Sequence, residues 1–184
     1  MILVDDAGEN VIVVAPGANR RFTPEDVDVG DSDAVLCQLE VPIDAVSAAA
    51  DAASYFCLNA APAKPVPSDL VRRADLVVVN RFELDALDET PRLAALTLGR
   101  EGAVLLEHGT ETARAAAPRV ETVDGTAAGD AFCAAFLVYL LRGTDQEEAL
   151  RLACAAGALA ASRFGAQPSL PTAAEVEALA AETA

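Results

Sequence analysis

A single histidine, a single lysine, no tryptophan and an aromatic content of 4% leave this 184-residue chain short of several kinds of chemistry. One histidine, His108, cannot build a multi-histidine metal site or a Ser-His-Asp triad, and its setting, Glu107-His108-Gly109-Thr110, reads as a surface turn between two strands. The four cysteines, Cys37, Cys57, Cys133 and Cys154, never fall at C-x-x-C spacing and sit inside apolar runs. That excludes a zinc or disulfide framework and predicts buried free thiols. No G-x-x-x-x-G-K-[ST] loop occurs, and no G-x-G-x-x-G follows a strand-like run. Positive charge is equally scarce: thirteen Lys and Arg face twenty-nine Asp and Glu, for a formal net charge of −16. Such a balance disfavours nucleic acid and anionic membranes as partners, because both need cationic groups. One lysine, Lys64, against many acids is also what adaptation to high salt, or a GC-rich genome, produces. The longest apolar run, 131–141, is too short to span a bilayer, and the start of the chain has neither the basic residues nor the cleavage site of a signal peptide. A cytoplasmic location is expected.

What the chain does have is apolar material: 53% of its residues, enough for a sizeable core in one domain. Short apolar runs alternate with helical patterns, as in a mostly parallel sheet covered by helices. Strands are predicted at 2–4, 11–14, 34–39, 55–58, 76–79, 94–98 and 103–106. Helices are predicted at 127–142 and 147–164, both rich in Ala, Gly and Cys and therefore closely packed. Thr23-Pro24 reads as a helix start, Thr144-x-x-Glu147 and Thr172-x-x-Glu175 as capping boxes, and Gly143 and Gly165 as C-terminal caps.

The richest segment is Val123-Asp124-Gly125-Thr126-Ala127-Ala128-Gly129-Asp130-Ala131-Phe132, where small residues open onto a helical run and place a carboxylate at its start. Small residues let backbone N–H groups approach an anion, and a helix N-terminus favours phosphate there. The same residues also read as an ordinary helix start with Thr126 as N-cap and Asp130 as a first-turn acid.

An ordered series of segments decides between these readings. Gly8-Glu9-Asn10, Gly17-Ala18-Asn19, Gln38-Leu39-Glu40, Leu58-Asn59-Ala60-Ala61-Pro62-Ala63, Asn80-Arg81-Phe82-Glu83, Thr97-Leu98-Gly99 with Gly102, Ala127-Ala128-Gly129-Asp130 and Gly165-Ala166-Gln167-Pro168-Ser169 follow one another along almost the whole chain. In this order the chain resembles the ribokinase branch of the PfkB carbohydrate kinases. The resemblance implies a ribokinase-like three-layer α/β/α fold with a mostly parallel central sheet. It also implies one kinase domain over 1–184, with Met1 inside a strand of the sugar-covering lid, 1–19 as a lid remnant, and the family's first strands and most of its lid absent.

The resemblance implies transfer of the ATP γ-phosphate to the 5-hydroxyl of ribose, with magnesium and a potassium ion as cofactors and a possible homodimer formed through the lid. Asp130 matches the catalytic base and a substrate contact. Its competence at a helix start comes from placement. Ala127, Ala128 and Gly129 match the anion hole. Asn80 and Glu83 match a motif that organises magnesium and phosphates through water, although they also read as a strand end entering a helix. Thr97, Gly99, Gly102 and Cys154 fall on the nucleotide side, and Glu40 matches a sugar contact. Asp124, Thr126, Ala160, Arg163, Gly165 and Ser169 match a monovalent-cation site, several through carbonyl oxygens. Two departures stand out. Gly125 replaces a common Thr, and only sixteen residues separate Asn80 from Thr97, barely enough for a parallel crossover. A non-catalytic remnant that binds nucleotide or a partner through exposed sheet edges is the alternative.

Overall fold

The computed structural model describes residues 2–4 and 10–182, so Gly8 and Glu9 of the first motif lie outside the described residues. Two compact units emerge, the first built from 15–98 and 104–112, the second from 2–4, 10–14, 99–103 and 113–182.

The chain begins with β1 (Ile2–Val4) and β2 (Asn10–Ile12), an antiparallel pair. There follow β3 (Val35–Gln38), α1 (Ile43–Ala52), β4 (Phe56–Asn59), α2 (Ser68–Arg73), β5 (Leu76–Val79), α3 (Arg81–Asp85) and β6 (Leu93–Thr97). Next come β7 (Ala103–Glu107), β8 (Thr110–Ala115), α4 (Ala128–Leu141), α5 (Gln146–Ala161) and α6 (Ala173–Glu182). Strands β3 to β8 form one six-stranded sheet in sequence order, with β3 through β6 parallel. The loops after β6 and β7 are too short for a parallel crossover, so β7 and β8 return antiparallel. His108 and Gly109 form the β7–β8 turn, both with positive φ (49° and 79°), as a two-residue hairpin requires. The mostly parallel α/β class expected from the sequence is thus present.

Continuous apolar strands such as Leu76–Val79, buried at every position, are what a parallel sheet covered on its faces selects. Phe56, Leu58, Val77 and Val79 meet Val46 and Ala50 of α1 and Leu70 and Val71 of α2 in the core of the first unit. Neither α1 nor α2 carries a polar N-cap; each is entered through a proline, Pro42 or Pro67, so capping patterns do not reveal them. The crossover between β5 and β6 holds only the five-residue α3, as the short spacing predicts.

Several local expectations are corrected. Strand β2 spans 10–12 rather than 11–14. Thr23-Pro24 opens a single 3-10 turn, closed by the Asp26 carboxylate on the Thr23 N–H and hydroxyl. Asp145, not Thr144, caps α5 through the Glu147 N–H, while the Thr144 N–H donates to the Tyr139 carbonyl near the end of α4. Helix α5 ends at Ala161 with Ser162 as cap, so Gly165 is a loop residue. Its φ of +92° serves a different bond, to Asp124. Gly143 does follow α4 in the left-handed region, and Thr172 and Glu175 do form their box.

Candidate active site

In an open parallel sheet, ligands bind outside the carboxyl ends of the strands. Three candidate residues, and Asn59 beside them, occupy those ends in the first unit. Glu40 follows β3 and is exposed. Asn59 ends β4, buried, with its Oδ1 accepting the Ala61 N–H at 3.3 Å. Asn80 follows β5, and Thr97 ends β6 with its hydroxyl 3.3 Å from the Val79 carbonyl. The ladder sets these positions, pairing Gln38 with Asn59 and Val79 with Leu96.

Asn80 and Glu83 face each other. The Glu83 N–H donates to Asn80 Oδ1 at 2.9 Å, and the Asn80 N–H donates to Glu83 Oε2 at 2.8 Å, a reciprocal capping box at the start of α3. Burial raises the Glu83 carboxyl above its ordinary value, against the opposing pull of the Asn80 N–H. Only one of its oxygens is engaged in the box.

The second unit holds the small-residue loop. Asp124 is 2% exposed and anchors it. Its Oδ1 accepts the Thr126 hydroxyl and, at 3.0 Å, the Thr126 N–H, while Oδ2 accepts the Gly165 N–H at 2.9 Å. The Thr126 hydroxyl and the Gly165 N–H hold this carboxyl below its ordinary range, outweighing burial. Because the Thr126 hydroxyl is committed to Asp124, it does not cap α4; Ala127 occupies that position. The Val123 and Asp124 N–H groups both reach the Ala161 carbonyl, at 2.8 and 3.1 Å, which ties the loop to the end of α5. Ala128 donates to the Gly125 carbonyl at 3.2 Å, and Gly129 and Asp130 lie exposed in the first turn of α4, ahead of the helical ladder. Gly157 of α5 fixes where that turn sits, since a Cβ there would lie 3.1 Å from the Ala128 carbonyl oxygen.

The cation candidates come from two segments, the loop before α4 and the end of α5 with the loop after it, joined by the Asp124–Gly165 bond. Arg163 donates its N–H to the Ala160 carbonyl at 3.2 Å, and Ser169, fully buried, donates its hydroxyl to the Ala166 carbonyl at 2.7 Å. Gly99 has a φ of +59° and accepts the Gly102 N–H at 3.1 Å. Gly102, at φ +101°, packs so tightly on the Ala115 carbonyl that a Cβ would lie 2.0 Å from it. Cys154 points its Sγ at that same carbonyl, 3.8 Å away, and burial pushes its thiol up to about 12. The structure therefore joins Asn80 to Glu83, Asp124 to Thr126 and Gly165, and Gly102 to Cys154. It leaves Cys154 buried.

Two residues escaped the sequence reading. Asn59 lies within a quoted motif but ends an otherwise apolar strand, and that polar terminus was the available signal. Lys64 was visible only as the sole lysine; it donates to the Leu39 carbonyl at 2.6 Å and so secures the turn carrying Glu40. Among the described residues, no three His, Cys, Asp or Glu side chains converge as a metal site, and no helix is long and apolar enough to cross a membrane.

Polar residues at the ends of parallel strands suit a ligand, and a small-residue helix start suits an anion. The family model for pfkB family carbohydrate kinases matches residues 1–173, and the chain belongs to that family. The ribokinase of Bacillus subtilis is 35% identical over 195 residues, covering 94% of this chain and 65% of the relative. The chain thus spans about two thirds of the length of the curated relatives it matches. Among solved structures, Thermotoga maritima ribokinase superposes with a TM-score of 0.84 at 29% identity, covering 97% of this chain and 67% of that one. Arabidopsis thaliana ribokinase, solved with ribose and ATP, gives 0.81 at 29% identity over the same shares. The three-layer α/β fold of the ribokinases is therefore the fold of this chain.

Proposed function

We propose that the chain carries the phosphoryl-transfer chemistry of an ATP-dependent sugar kinase, with ribose as the acceptor. The observation that carries this reading is the exposed first turn of α4, where Gly129 and Asp130 follow a loop braced by a buried carboxylate. Asp130 is the base that takes the proton of the sugar hydroxyl, and the backbone amides at Ala127, Ala128 and Gly129 face the charge developing on the transferred group. Glu40, at the end of β3, contacts the sugar. Asn80, Glu83, Thr97, Gly99 and Gly102 belong to the nucleotide side; Cys154 contributes there only through the Ala115 carbonyl that it shares with Gly102.

Magnesium, when bound, would supply charge neutralisation to the nucleotide phosphates. The residues present fit an ion that keeps its water, since Glu83 has an oxygen outside the capping box. The two segments that carry Asp124 and Thr126, and Ala160, Arg163, Gly165 and Ser169, offer oxygen donors and a buried, ionised carboxylate, a set that fits a weakly hydrated monovalent cation such as potassium. A cytoplasmic location and pairing of two copies through 1–19 belong to the same reading.

The test is ribose-dependent ADP formation by the 184-residue chain with Mg-ATP and potassium, beside Asp130→Ala. The expected result is turnover that falls at least about 100-fold in the variant. Equal turnover in both overturns the role of Asp130. No turnover in either, with ATP binding retained, establishes the alternative of a nucleotide-binding chain without catalysis.

A further inference from the structure

Glu175 does two jobs at the start of α6. Its Oε2 accepts the Thr172 N–H and hydroxyl, both at 2.8 Å, which closes the capping box. Its Oε1 accepts the Arg163 guanidinium at 2.5 Å. Arg163 lies two residues before Gly165, whose N–H is held by Asp124, and Asp124 in turn holds Thr126 at the entry to α4. Every link lies in the second unit. Helix α6 is itself seated by Val176 and Ala180, both buried, and by Arg151 of α5, which donates to the Ala180 carbonyl and pairs with Glu148.

We infer that the Arg163–Glu175 pair is a positioning latch: α6 fixes the loop through Gly165, and through Asp124 it fixes the turn that presents Asp130. Glu175 touches no reacting group and acts by holding Arg163. The inference rests on the reading of the 124–130 segment as the transfer site, but its test does not use turnover. If the latch is absent, the loop after α5 is shaped by the Gly165–Asp124 bond and its own internal bonds, and α6 has no hold on 122–130.

Amide hydrogen exchange of the full chain separates these cases. Arg163→Gln breaks the pair and leaves the Thr172–Glu175 box intact, Glu175→Gln weakens both, and Thr172→Ala touches only the box. An ion pair this exposed is weak, so its loss should accelerate local opening only roughly two- to fivefold. The latch predicts that acceleration in both 162–169 and 122–130 for Arg163→Gln and Glu175→Gln, with Thr172→Ala affecting 172–176 alone. Exchange in 122–130 that stays at the parent rate in Arg163→Gln overturns it, whatever happens in 162–176. Should Glu175→Gln unfold α6, Arg163→Gln still decides. Failure of the kinase reading shows separately, in the Asp130→Ala assay.

Discussion

At the scale of single residues, Asp124 is the group on which the loop depends. Its carboxylate serves three donors from two segments, so Asp124→Ala leaves half-buried N–H groups without this acceptor and should cost about 1–3 kcal/mol in denaturant unfolding. The pH dependence follows from the lowered folded value: the contribution is complete above the ordinary value of 3.8 and disappears as pH falls through the lower folded value. Stability measured from pH 7 downward should therefore drop below about pH 4 in the parent chain and drop less in Asp124→Asn. A parallel decline in both would remove Asp124 from the account. The sequence showed Asp124 only as a residue matching a cation site. Its hydrogen bond to Gly165, forty-one positions away, is a tertiary contact that no local pattern encodes.

At the scale of elements, α4 and α5 pack closely because they are built from Ala, Gly and Cys, and Gly157 marks the nearest approach. A methyl group there would meet the Ala128 carbonyl at 3.1 Å, so Gly157→Ala must push the two helices apart by a few tenths of an ångström. The variant should lose about 1–3 kcal/mol despite its better helix propensity, because overpacking outweighs the roughly 1 kcal/mol gained by removing glycine. A thermal midpoint at or above the parent's would show that the interface yields freely. The main strands and the two long helices were legible, since continuous apolar runs and small-residue helices are local signals. Helices α1 and α2 were not, being entered through Pro42 and Pro67 without a polar cap. Strand β8 was implied by the turn at His108 but not delimited, because five of its six residues are Thr, Glu, Arg or partly exposed Ala and it lacks an apolar run. The N-x-x-E motif was legible as a pair, and its capping geometry shows why that spacing works whatever else it binds.

At the scale of the whole molecule, charge dominates. The excess of sixteen negative charges repels itself, while the described ion pairs are partly exposed and individually weak. Screening should relieve more repulsion than it removes attraction, so the unfolding midpoint should rise by roughly 3 °C or more between low salt and about 1 M KCl. A flat profile would remove salt adaptation as the reason for the composition. Family membership was legible at this scale because it rests on the order of many short segments. The position of each segment within a compact unit was not, since it follows from strand order in the sheet.

The burial of Cys154 against the Ala115 carbonyl has a practical consequence. With its thiol near 12, only about one molecule in 10⁵ carries the reactive anion at neutral pH. Alkylating reagents must therefore wait for α5 to lift away, whereas Cys37, half-buried in β3 of the first unit, is within easier reach. The rate at which Cys154 is labelled is a clock for the opening of the second unit, read at a residue the chain already carries.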